Sequence, residues 1–158
     1  MNTEELELIQ ILNGYYRSVQ LIGALEKAEA EHSRFLSACR ARDVKVNEDE
    51  NRDYSGMLRK AYADAMTYKT RVQALVELVD DAELKAILYS RYICLMNTYE
   101  IGDTVHCSRN SVFRYHKKAI RSLLEKIKED EIQGADFKFL KDLSSKAIEN
   151  ERNKLDSD

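Results

Sequence analysis

"YEIGDTVHCSRNSVFRYHKKAI", residues 99–120, is the stretch on which the reading of the whole chain turns. Its second half gathers Arg109, Arg114, Lys117 and Lys118, with Arg121 just beyond, in a protein whose formal net charge is −3. Its first half sets Glu100-Ile101-Gly102 ahead of Val105, then His106-Cys107, then Ser108. Two short helices that cross steeply need a small residue at the crossing, an apolar residue closing the first helix, a tight turn, and a cap on the second. Gly102, Val105, His106-Cys107 and Ser108 supply these in order, serine being a favoured N-cap. Val112, Tyr115 and Ala119 then recur at three- and four-residue spacing and form an inward face. That leaves Arg109, Asn110, Phe113, Arg114, Lys117 and Lys118 facing solvent. His106 stands where such a turn usually has a left-handed glycine, a conformation histidine tolerates better than most residues. The spacing predicts one helix over about 98–105 and a longer one from Ser108.

The charge is local. Residues 108–128 hold seven cations (Arg109, Arg114, Lys117, Lys118, Arg121, Lys126, Lys128) against Glu125 alone, a balance of +6. Residues 129–158 hold nine acids against five bases, and 1–79 hold thirteen against eleven. A basic island between acidic flanks points to one anionic partner rather than general adhesion. A charged helix face is more often only a solvated one, so the weight rests on the spacing around the cations.

Upstream, the chain has no proline and no tryptophan, five glycines and 34% charged residues, a composition that suits helices and predicts an all-α fold. Leu8, Ile11, Leu12, Tyr15, Val19, Ile22, Leu25, Phe35, Leu36 and Cys39 share one face of a long first helix, with Thr3 as its expected cap. Gly14 and Gly23 each weaken that helix by about 1 kcal/mol. "RDVKVNEDENRD", residues 42–53, loses the pattern and reads as a connection. Leu58, Ala61, Ala65, Tyr68, Val72, Leu75 and Val79 form a coiled-coil seam on a second helix. An antiparallel hairpin or a dimer uses such stripes. Asp80 and Asp81 open a third helix that turns Leu84, Ile87, Leu88 and Tyr92 to one side. The expected domains are a helical hairpin over 1–79, a helix-turn-helix domain over 80–128, and an acidic, partly helical tail over 129–158. In that tail Phe137, Leu140 and Ile148 give a weak amphipathic pattern.

Several functions are not expected. The acidic N-terminus lacks the basic region of a signal peptide, and no apolar run approaches the roughly 20 residues of a membrane span. The protein is therefore expected to be soluble and cytoplasmic. Cys39, Cys94 and Cys107 are scattered, and His32, His106 and His116 with Cys107 fit no zinc spacing, so neither disulfides nor a metal site is expected. No catalytic motif or phosphate-binding loop is present, so an enzyme and a cofactor are not expected either. Tyr15, Tyr16, Tyr62 and Tyr68 read as core or interface.

Residues 80–127, through the framework "LYSRYI…YEI…CSRNSVFRYHKKAI…L", resemble the region-4 helix-turn-helix of sigma-70 factors. With the helical extension ahead, the chain is similar to phage-encoded transcriptional regulators of the ArpU and RinA type. The resemblance covers about a third of the chain and implies a sequence-specific, double-stranded DNA-binding regulator, an activator of phage or prophage genes acting as a homodimer. In such a motif the second helix lies in the major groove. By position in the motif it implies Ser108, Arg109, Asn110, Phe113 and Arg114 as base-reading or phosphate-touching residues; Ser111, Lys117, Lys118 and Arg121, on or beside the basic face, complete the expected DNA-binding set. A DNA-packaging protein of the small-terminase kind, or a sigma-like module binding RNA polymerase, are the alternatives.

Overall fold

Asn2 starts the first helix. In the computed structural model, which describes residues 1–130, 137–143, 152–153 and 155–156, its side chain accepts from the Glu5 amide (2.9 Å) while Glu5 returns a bond to the Asn2 amide (3.1 Å). This reciprocal capping box starts α1 (Thr3–Ala41), so Asn2 and not Thr3 is the cap. α1 ends in a Schellman turn. Asp43 takes a left-handed φ of 53°, Val44 N–H reaches the Cys39 carbonyl and Asp43 N–H that of Arg40. The expected connection over 42–53 is shorter than its polarity suggested. Asn47 caps the amides of Asp49 and Glu50, and α2 (Glu48–Val76) begins on the acids that read as loop. Acidic side chains favour the positive end of a helix, so a polar run with an asparagine before it is also a helix start.

α3 (Ala82–Leu88) is capped by Asp81, whose carboxylate accepts from Glu83 and Leu84. It runs on into a single π-helical turn, Tyr89–Ile93, closed by Cys94 N–H to the Tyr89 carbonyl. α4 (Thr98–Val105), α5 (Arg109–Glu129) and a short α6 (137–143) follow. Every regular element among the described residues is helical, as composition predicted. No described helix is long and apolar enough to cross a membrane.

The chain forms two compact units, residues 17–69 and residues 1–16 with 70–158. In 17–69 the two helices run antiparallel, tied by a hydrogen bond between His32 and Asn51 and an edge-on contact of the His32 and Tyr54 rings. Its interior is thin. Cys39, Leu58, Ala65 and Tyr68 are buried and Ala61, Ile22, Leu25 and Leu36 half-buried, whereas Val19 and Phe35, expected inside, are exposed at 39% and 55%. Each stands one residue, about 100° of helix, from the inner stripe at Ser18 or Leu36, and a two-helix pair covers only one line of each helix.

The other unit carries the larger core. Leu8, Ile11, Leu12 and Tyr15 of α1 and Val72, Leu75 and Val76 at the end of α2 are buried in it; Val79, expected on the same helix, is also buried but lies in the turn beyond it, since α2 ends at Val76. α5 contributes Ala119, Ile120, Leu123 and Ile127. α6 joins through fully buried Leu140, a Lys141–Glu7 ion pair (2.9 Å) and Arg71 stacked on Phe139. Ile148, expected on the same face, lies outside the described residues.

Candidate functional site

α4 and α5 are placed by local signals. The Asn97 side chain accepts from Glu100 N–H and starts α4. At its end His106 adopts φ 56°, ψ 46°, and Cys107 N–H bonds the Gly102 carbonyl (2.9 Å). Histidine thus fills the left-handed position that glycine usually takes. Gly102 is buried, and a Cβ there would lie 2.8 Å from the Cys107 carbonyl oxygen, so the close approach of turn and helix excludes a side chain. Ser108 Oγ accepts from Ser111 N–H (3.2 Å) and donates to Ser111 Oγ (3.0 Å), starting α5. Ile87, Ile101 and Val112 form the small core beneath, with Met96, Val105, Cys107 and Tyr115 around it.

This packing fixes which residues face out. Arg109, Asn110, Phe113, Arg114, Lys117 and Lys118 are all exposed and Ser111 is half-buried. Arg109 Nη1 donates to Tyr99 Oη (2.9 Å), and its guanidinium lies 5.0 Å from the Tyr99 ring centre and 5.6 Å from that of Phe113. Arg114 lies over Tyr115 and reaches Ser111 Oγ at 3.4 Å.

The seven cations divide into two groups. Arg121 bonds Glu5 (3.0 Å), Lys126 bonds Asp80 (2.7 Å) and Lys128 bonds Glu4 (2.7 Å). Burial raises the Glu5 carboxyl, but the Arg121 hydrogen bond and charge and the Asn2 amide outweigh it, and its pKa falls below the ordinary value. The Lys126 hydrogen bond likewise lowers the pKa of Asp80, while Asp80 raises that of Lys126. Arg121, read as one of the DNA-binding residues, bonds Glu5 within its own unit while its side chain stays 55% exposed. Arg109, Arg114, Lys117 and Lys118 have no acidic partner among the described residues.

That second group is placed against its own helix. Cations in a first turn oppose the macrodipole, and Arg114–Lys118 sit four residues apart, a spacing at which like charges repel. Lys126 and Lys128, near the C-terminus, suit the dipole. Helix stability therefore explains the far end of the island and not the near end, where an external anion would relieve the repulsion.

One residue of α5 escaped the reading of the sequence. His116 is buried, and its Nε2 shares a hydrogen bond with the Tyr92 hydroxyl (2.6 Å). Burial, with the charge of Arg91, pushes its pKa down to about 4, and burial pushes the Tyr92 hydroxyl up to about 12. The signal was its register in the inward stripe at 112, 116, 119–120 and 123. Tyr99, on α4, had no signal at all.

A protein-family model described as "Protein of unknown function (DUF1492)" matches residues 56–124, from the third turn of α2 through α3 and α4 into α5. No curated protein and no solved structure matches the chain.

Proposed function

We propose that this chain is a sequence-specific, double-stranded DNA-binding transcription regulator whose α5 enters the major groove. The observation that carries the reading is the charge division on α5. Its first three turns present Arg109, Arg114, Lys117 and Lys118 outward with no acidic partner among the described residues, while the cations further along are paired with acids. Arginine and asparagine in the first turns have the donor geometry for guanine and adenine edges, and Lys117 and Lys118 suit phosphates. Asn110 and Phe113 extend the reading face. Ser108 caps the same helix, bonding the amide and hydroxyl of Ser111.

The regulator acts as a homodimer, a binding module rather than an enzyme. Leu21, Phe35 and Met57, left exposed on the helices of 17–69, support self-association. The sigma-70 region-4 likeness of 80–127 and the likeness to ArpU- and RinA-type regulators support a role in phage or prophage transcription.

Selection of bound sequences from a random duplex pool, followed by titration at several salt concentrations, tests this. The expected result is a shared motif and a log affinity that falls with log salt by about 0.9 per phosphate contacted. No enrichment, or an affinity flat with salt, overturns it, and retention of RNA polymerase without DNA binding would put a protein in the groove's place.

A further inference from the structure

Tyr99 and Phe113 are large aromatic side chains left 64% and 45% exposed, outside the core formed by Ile87, Ile101 and Val112. Between them lies one cation. Arg109 donates through Nη1 to Tyr99 Oη, with its guanidinium 5.0 Å and 5.6 Å from the two ring centres. A lone surface arginine samples many rotamers and must give up that freedom when it binds. Here the freedom is already restricted, at the first residue of α5, by a hydroxyl from a different helix.

We propose that Tyr99 is a positioning residue that presents Arg109 edge-on to a guanine, with Phe113 against the methyl group of a thymine beside it. The inference rests on the DNA-binding reading above and assigns its specificity. A guanidinium has five N–H donors in a fixed fork. The bond to Tyr99 uses one on Nη1, so the Nε–Nη2 edge stays available for the O6 and N7 acceptors of guanine. Phe113 stands four residues on from Arg109, hence on the same face of α5, and an exposed phenyl ring suits the thymine methyl. Arg114 is less constrained. Among the described residues its side chain bonds Ser111 Oγ on its own helix, at 3.4 Å. Tyr99 also belongs to α4, so its hydroxyl fixes Arg109 relative to both helices of the pair.

Selection from a random duplex pool with the full chain, its Tyr99→Phe, Arg109→Ala and Phe113→Ala variants, tests the assignment. Tyr99→Phe removes one exposed hydroxyl, so melting temperature and affinity for scrambled duplex should not change. Its preference for guanine should fall between about fivefold and a hundredfold, at the one position where Arg109→Ala also loses it. Phe113→Ala should lose thymine preference at the neighbouring position only. Unchanged guanine preference in Tyr99→Phe overturns the inference while leaving DNA binding intact. So does an equal loss on cognate and scrambled duplex, which would make Tyr99 a phosphate contact. A wild-type chain that selects no sequence overturns the DNA-binding reading and this inference with it.

Discussion

Gly102 and Gly23 are both helical glycines, yet replacing each by alanine should change stability in opposite directions. Around Gly23, in α1, a new Cβ meets nothing within 4 Å. Only the helix preference for alanine acts there, so Gly23→Ala should stabilise by about 1 kcal/mol. At Gly102 the same Cβ would sit 2.8 Å from the Cys107 carbonyl oxygen and 3.7 Å from Cγ2 of Val112. Carbon–oxygen contacts normally begin near about 3.3 Å, so about half an ångström must be recovered. The obstacle is main chain, held by the Cys107 N–H bond to Gly102 itself, and has no rotamer by which to move aside. Overpacking of this kind costs about 1–3 kcal/mol. Set against the propensity gain, the net is a loss of up to about 2 kcal/mol, or several degrees of melting temperature at roughly 2–4 °C per kcal/mol. Urea unfolding of the two variants beside the wild type measures both. The glycines lie in different compact units, so should these unfold separately, each variant shifts its own transition. A Gly102→Ala protein as stabilised as Gly23→Ala would refute the close crossing of α4 on the turn.

Three further outcomes follow from the packing. Val72 is fully buried in the seam, so Val72→Asp should destabilise by about 3–5 kcal/mol, as expected for an unpaired buried charge; unchanged unfolding midpoints would contradict its placement. His116 is neutral when folded, with a pKa depressed from 6.5 to about 4, so the unfolded chain binds its proton first. Stability should be full above about pH 6.5 and decline toward pH 4, by at most about 1.4 kcal/mol per pH unit, and His116→Gln should flatten that decline in denaturant midpoints across the range. Glu5 has a lowered pKa, so its contribution is present above the ordinary glutamate value of 4.5 and lost below it; Arg121→Gln should weaken this acid sensitivity in thermal melts between pH 5 and 3, and an unaltered profile would dismiss the pair.

The parts legible in the sequence are those written in neighbouring residues. Ser108, Asp81 and the left-handed His106 act on amides and carbonyls within a few positions, so the bounds of α4 and the start of α5 could be read directly. The stripe from Leu58 to Val79 was readable because three- and four-residue spacing maps onto a helix face. What spacing does not reveal is whether a partner covers that face, which is why Val19 and Phe35 were expected inside. Long-range pairs leave no local trace. Arg121 finds Glu5 across 116 positions, a partner that no spacing rule supplies. His116 was overlooked because a polar residue in an apolar register suggests surface until its tyrosine partner is known. The π-helical turn at Tyr89–Ile93 has no residue that announces it.

The most direct measurement of the central claim compares Arg114→Ala with Lys118→Ala on the selected duplex and on a scrambled one, across a range of salt. Arg114 is in the second turn of α5, within reach of base edges, and Lys118 is a turn further on, nearer the phosphates. Arg114→Ala should cost about 1–3 kcal/mol on the selected sequence and far less on the scrambled one. Lys118→Ala should weaken both alike and reduce the salt slope by about one unit. Equal proportional losses from both variants on both duplexes would reduce α5 to a basic patch, and no loss from either would contradict its place in the groove.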